Sequence, residues 1–241
     1  MGTTYTVKYL SDGQDKLPSP AEIQKRIDDT LKEVNRQMST YQTDSEISQF
    51  NQLRTVNQAM PISKDFAYVT GEALRLNKLT HGALDVTVGP LVNLWGFGPQ
   101  KEITHEPTAQ EIQHASEMVG TDKLKLSQDG QQPTLAKTHP EVYLDLSSIA
   151  KGFGVDKTAA ELEKLNIGNY LVEIGGELHG KGRNAQGNPW RIGIEQPNIV
   201  QGGATQITIP LDNKSLATSG DYRIFHVDKS GRRLSHIINP K

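Results

Sequence analysis

The chain has no cysteine among its 241 residues, and that one absence removes disulfide frameworks, thiolate zinc sites and cysteine nucleophiles together. It also lacks any apolar run long enough to cross a bilayer. The first ten residues, MGTTYTVKYL, alternate like a strand where a secretory leader would show an apolar block. That leaves a cytosolic protein, or a mature domain whose targeting segment has been removed. Charge of one sign is missing too: 26 Lys and Arg stand against 28 Asp and Glu. Without a basic run interleaved with aromatics, a nucleic-acid surface is not expected. Low-complexity tracts and short repeats are absent, and the length suffices for a core without metal or disulfide staples.

What is present is periodic. Tyr5, Val7 and Tyr9 alternate with Thr4, Thr6 and Lys8, which predicts a strand. A helix follows, with Ser19 as N-cap, Pro20 at the first helical position and Glu22 closing a capping box. Its apolar stripe is Ile23, Ile27, Leu31, Val34 and Met38. Further helices are expected after Ser63 up to the His81-Gly82 stop, from Thr108 towards Gly120, and from near Ser147 to about Leu165. Beyond them the pattern turns to β in YLVEIGGELHGKG, PWRIGIEQP, ATQITIPL, SLATSG and YRIFHVDKSGRRLSHII, the last with a hairpin turn at Asp228 to Gly231. GFGPQKEITHEPT, LSQDGQQPTLAKTHPE and NIVQGG read as loops. Helices on mostly antiparallel strands predict an α+β fold in one compact unit over residues 1–241.

Four stretches could carry chemistry. In VYLDLSSIAKGFGVDKTAAEL a strand is expected to end at Asp145, with a small polar turn at Ser147 and Ser148, and a helix opening with Lys151, Gly152 and Gly154. Glycine inside a helix costs about 1 kcal/mol relative to Ala, so something approaches closely there. It is either a phosphate at the helix N-terminus, with Lys151 adding charge, or simply a sheet packed tightly, with Lys151 solvated. In GALDVTVGPLVNLWGFGP, Asp85 stands in an apolar run and must be paired, ligated or exposed in a cleft. Trp95 and Phe97 either stack on an aromatic ligand or plug their own loop. Tyr41 leaves the first helix in a polar loop where Asp44 or Ser45 caps a short helix. His236, at a strand end, qualifies as a general base if it faces a cleft, and no second histidine stands at zinc-ligand spacing.

These signals occur in one order. MGT, STY, GALDVTVGPLVNLWGFGP, DLSSIAKGFGVDK, VEIGGEL, ATSGDY and SHIINP together resemble the ApbE family of flavin transferases over essentially the whole chain. The resemblance implies a duplicated, T-fold-like arrangement of helices on antiparallel sheet. It implies that FAD and Mg²⁺ are used to move FMN onto a Ser or Thr of an acceptor flavoprotein, with release of AMP. The acceptors would be redox-pump subunits carrying an Asp-x-Ser/Thr-Gly-Ala-Thr motif. A periplasmic lipoprotein held at the inner membrane is implied as well.

Residue by residue, the resemblance implies FAD contacts at Met1, Tyr41, Ala83, Leu84, Asp85, Asp145, Lys151 and Ile238, with Tyr41 against the isoalloxazine. The Ser148 carbonyl matches a metal ligand, and His236 matches the base that takes the acceptor's proton. Family members continue past the His-Ile-Ile-Asp-Pro stretch into a segment with further metal ligands, so the sequence is expected to be a piece of a longer protein. Asn239, where the family commonly has Asp, reads as a mild change. An FAD pyrophosphatase and an FAD-binding module without chemistry are the alternatives, and Tyr41 argues against the first.

Overall fold

The computed structural model describes residues 2–13, 16–98, 105–196, 205–220, 225–228 and 230–241. In chain order these form β1 (Tyr5–Tyr9), α1 (Pro20–Met38), α2 (Glu46–Gln52), β2 (Met60–Pro61), α3 (Lys64–Leu79), α4 (Gly89–Leu94) and α5 (Ala109–Glu117). They continue with β3 (Leu124–Ser127), β4 (Thr134–Lys137), α6 (Ser147–Lys164), β5 (Tyr170–Ile174), β6 (Glu177–Lys181), β7 (Trp190–Glu195) and β8 (Thr205–Leu211). The last three are β9 (Lys214–Leu216), β10 (Phe225–Val227) and β11 (Arg233–Ser235). Every strand pairing is antiparallel, so the α+β expectation holds. The chain divides into two compact units, Met1–Glu33 with Lys151–Arg223, and Val34–Ala150 with Ile224–Lys241.

In the first unit the strand order is β1-β5-β6-β9. Alternation in β1 turns Tyr5, Val7 and Tyr9 onto an apolar cluster and leaves Thr6 and Lys8 exposed. The cluster joins Ile23, Ile27 and Leu31 of α1, Val155, Ala159 and Leu162 of α6, and Tyr170, Val172 and Ile174 of β5. Each such side chain contributes about 1.5–3 kcal/mol relative to exposure. Because side chains alternate across a strand, Leu171 faces the other way, onto Leu178, Trp190 and Leu211. Gly175 and Gly176, with φ of +57° and +98°, make the two-residue turn between β5 and β6, a backbone that asks for glycine.

The second unit holds the sheet β2-β4-β3 and the hairpin β10-β11. Its core takes Ile47 and Phe50 from α2 and Phe66, Val69 and Ala73 from α3. The helix starts expected at Ser63 and Thr108 are capped: Ser63 Oγ accepts from the Phe66 N–H, and Thr108 with Glu111 makes a full capping box. At the β10-β11 turn the Gly231 N–H donates to the Asp228 carbonyl at 3.0 Å.

Two local expectations are corrected, and one helix is added. LSQDGQQPTLAKTHPE is not all loop: Thr134–Lys137 forms β4, the central strand of its sheet, and Leu135 and Ala136 are buried. Four residues between Pro133 and a Thr-His-Pro turn give too short a run for the alternation to stand out. The strand expected to end at Asp145 is an extended segment outside any sheet. Its backbone pairs with a side chain: Asn51 Nδ2 donates to the Leu144 carbonyl at 2.9 Å, and Oδ1 accepts from the Leu144 N–H at 2.8 Å. Within GALDVTVGPLVNLWGFGP the short helix α4 opens with Pro90 in its first turn, a start that the surrounding glycines disguise.

Candidate active site

The site is built from the second unit's connections. After Met38 the chain turns through Ser39 to Ser45, and Ser45 settles which residue caps α2. Its hydroxyl accepts from the Ser48 N–H at 3.2 Å and donates to the Ser39 carbonyl at 2.6 Å. This tight turn lifts Tyr41 into solvent at 67% exposure, leaving its ring free to lie against a planar ligand. Nearby, Tyr143 is half-buried. Burial pushes its phenol up, and the Asp145 carboxylate and Tyr41 act in the same direction. Tyr143 also lines a cleft of about 360 Å³ together with Thr40, Asn51, Arg54, Asn93 and Glu141.

Asp145 Oδ1 accepts from the Ser147 N–H at 2.8 Å and the Ser147 hydroxyl at 2.5 Å, so the carboxylate sits at the positive end of α6. Ser148 is exposed in the first turn of that helix. Asp85 is held by hydrogen bonds. Its Oδ1 accepts from the Thr87 N–H at 2.8 Å and hydroxyl at 2.5 Å, while Asn77 Nδ2 lies 3.4 Å from Oδ2. The preceding turn is fixed as well: Asn77 Nδ2 donates to the Leu84 carbonyl at 2.7 Å, and the Ala83 N–H donates to the Thr80 carbonyl at 3.1 Å. Thus Ala83, Leu84 and Asp85 present a pinned backbone turn with Oδ2 retaining acceptor capacity.

His236 follows β11 directly and is partly buried. Its ring centroid lies 6.3 Å from that of Phe97, and the same phenyl stacks on His226 at 4.4 Å. Phe97 therefore serves its own neighbourhood with two imidazoles against it. Ile238 packs with Leu94 and Ile112 onto the cluster of Leu91, Ala115 and Val119.

In the first unit, Lys151 is partly buried and paired. Its Nζ lies 2.9 Å from Glu177 Oε2 and 3.5 Å from the Gly175 carbonyl. The contact with Glu177 is one of charge, since Oε2 is buried and receives no well-directed hydrogen bond. A side chain at Gly152 would meet nothing within 4 Å, so the start of α6 has open space where tight packing was one expectation. Met1 lies outside the described residues.

The second unit by itself offers chemistry that suits an FAD molecule: an exposed aromatic ring at Tyr41 and a pinned backbone turn at Ala83-Leu84-Asp85. The described residues do not by themselves offer Mg²⁺ a full ligand set. Among the described residues no three His, Asp or Glu gather as they would around a metal ion, and Mg²⁺ ordinarily needs carboxylates besides a carbonyl such as that of Ser148.

The model of the ApbE family matches residues 1–241. This chain belongs to the ApbE family. Among relatives, the FAD:protein FMN transferase of Haemophilus influenzae is 52% identical over 241 residues, which is all of this chain and 69% of that protein. That of Vibrio cholerae is 48% identical over 240 residues, again 69% of its length. The solved flavin transferase ApbE from Vibrio cholerae superposes with a TM-score of 0.87 at 48% identity, covering 100% of this chain and 74% of that one. Flavinyl transferase ApbE from Pseudomonas stutzeri, in its apo form, gives 0.85 at 37% identity, covering 100% and 72%.

For this ApbE chain, sequence reasoning singled out Tyr41, Asp85, Asp145 and His236, and it missed Tyr143, Asn51, Lys137 and His226. Tyr143 had a signal, an aromatic two residues before Asp145. Asn51 and Lys137 had none, because a buried polar residue at a helix end or in a short strand looks like a surface one.

Proposed function

We propose that this chain moves the FMN half of FAD onto a Ser or Thr hydroxyl of an acceptor flavoprotein and releases AMP. The observation that supports it most is 52% identity, across the whole chain, to a protein named FAD:protein FMN transferase. In the reaction the acceptor oxygen bonds to the FMN phosphorus, the pyrophosphate P–O bond breaks, and AMP departs on the former bridging oxygen. The acceptor's proton passes to a base. Catalysis of this kind is chiefly positioning and charge stabilisation. Tyr41 would bind the isoalloxazine, the Ala83-Leu84-Asp85 turn and Asp145 would orient the nucleotide, and Lys151 would offer positive charge. Met1 and Ile238 complete the proposed contacts. His236 would take the hydroxyl proton, the role that the family resemblance gives it.

Within the same reading, transfer requires Mg²⁺ with the Ser148 carbonyl among its ligands, and the acceptors are redox-pump subunits with the Asp-x-Ser/Thr-Gly-Ala-Thr motif. The family resemblance also supports a periplasmic protein tethered to the inner membrane as a lipoprotein. No described helix is long and apolar enough to cross a membrane.

The test is intact-mass analysis of an acceptor domain incubated with this chain, FAD and Mg²⁺. The acceptor should gain one FMN, EDTA should abolish the gain, and His236→Ala should slow it by about 10²–10⁴-fold. Release of free FMN faster than transfer would instead make the chain a pyrophosphatase.

A further inference from the structure

Lys137 is 1% exposed at the end of β4, an unusual place for an ammonium group. Among the described residues no carboxylate forms an ion pair with it. Nζ donates to two main-chain carbonyls, Asn51 at 3.2 Å and Val142 at 3.1 Å, and lies 5.2 Å from the centre of the Phe50 ring. Both carbonyls belong to the pair of segments joined by the Asn51 side chain, whose amide binds Leu144 on both its N–H and its carbonyl. One residue on, the Asp145 N–H donates to the Val86 carbonyl at 2.8 Å. Among the described residues the stretch from Val142 to Asp145 thus has no strand neighbour, and its backbone is held by the lysine, the asparagine, the bond to Val86 and a turn in which the Val142 N–H donates to the His139 carbonyl at 3.3 Å.

We propose that Lys137 is a positioning residue for FAD binding: through Asn51 and Val142 it fixes the segment that presents Tyr143 and Asp145. The inference rests on the flavin-transferase reading. A hydrophobic side chain would fill the same space without cost in charge burial, and replacing buried charge by apolar volume is often neutral for stability. What it could not do is hold two carbonyls at once. Burial lowers the Lys137 amine from its ordinary 10.5 to about 8, with Arg54 acting in the same direction and Glu141 opposing. Arg54 follows α2 and Glu141 lies in the turn before Val142, so the charges facing the ammonium come from both segments it joins. Above pH 8 the amine still donates, but without charge its bonds weaken.

The experiment is titration of FAD, followed by flavin fluorescence, into the whole chain and its variants, with the melting temperature measured alongside. It needs neither acceptor nor metal. Lys137→Met is expected to weaken FAD binding at least tenfold, and Lys137→Gln, which keeps an N–H₂ donor, to weaken it less. Wild-type affinity should fall at least threefold between pH 7 and 9, whereas that of Lys137→Gln should stay flat. Unfolding does not explain such a fall. The unfolded lysine holds its proton to a higher pH than the native one, so this group adds stability as pH rises above 8. Equal affinity of the Met variant and wild type overturns the proposal. If the Met variant does not fold, a flat wild-type pH profile overturns it. Wild type that binds no FAD would overturn the flavin-transferase reading itself.

Discussion

The first unit and the Asn51-Lys137-Leu144 region of the second are both buried, yet they satisfy their backbones in opposite ways. In the first, β1, β5, β6 and β9 exchange hydrogen bonds strand to strand, and apolar side chains fill one cluster between α1, α6 and the sheet. In the second, an extended segment in the same kind of environment takes its partners from an asparagine amide and a lysine ammonium. A ladder distributes the loss of one side chain over many bonds. A side-chain clamp does not, because removing one group strands two buried backbone atoms at once. The clamp frees the segment from a strand neighbour, so that Tyr143 can line a cleft and Asp145 can meet the start of α6.

The comparison is sharpest with one truncation in each region. Leu162→Ala in the first unit's cluster should cost about 2–5 kcal/mol of stability through the cavity it leaves, with FAD affinity unchanged in protein that remains folded. Asn51→Ala strands the Leu144 N–H and carbonyl at about 1–3 kcal/mol for each group, and it should weaken FAD binding as well. Chemical denaturation paired with flavin titration separates the two. Equal affinity losses in the two variants would mean that the clamp is only another piece of core.

A smaller effect is expected at Gly89, the first residue of α4. A methyl group there would lie 2.3 Å from Tyr143 Cδ1, so Gly89→Ala must displace the ring. Overpacking of this kind costs about 1–3 kcal/mol. Near-ultraviolet circular dichroism should register the moved tyrosine, and an unchanged spectrum would mean that the ring can yield without consequence.

Legibility in the sequence follows the same division. The stripe of Ile23, Ile27 and Leu31, the alternation of Tyr5, Val7 and Tyr9, and the turn from Asp228 to Gly231 were all readable, because periodic burial and turn residues leave local marks. The capping box at Ser19 and the helix starts at Ser63 and Thr108 were readable for their local chemistry. Asn51 and Lys137 were not, because contacts across 86 to 93 residues of chain have no period. Motif order located Asp85 and His236 without showing what holds them. Thr87 under Asp85, and Phe97 beside His236, belong to the structure alone.

The smallest expected effect tests whether the first unit's polar contacts are as redundant as its ladder. Tyr170 is fully buried, and its hydroxyl donates to Glu163 Oε1 at 2.8 Å, while Lys181 Nζ donates to the same oxygen at 2.7 Å. Lys181 and then Tyr170 hold the Glu163 carboxyl below its ordinary range. A carboxyl so lowered contributes stability that is present above its unfolded value and lost as pH falls through the folded one. Tyr170→Phe leaves the ring and the Lys181 bond in place, so only one hydrogen bond to an anion is lost, about 1–2 kcal/mol. Acid unfolding should then begin at a slightly higher pH, with FAD affinity at pH 7 unchanged. A loss as large as that of Asn51→Ala would show that this anion depends on one partner, as the Leu144 backbone depends on one asparagine, and the contrast between the two regions would fail.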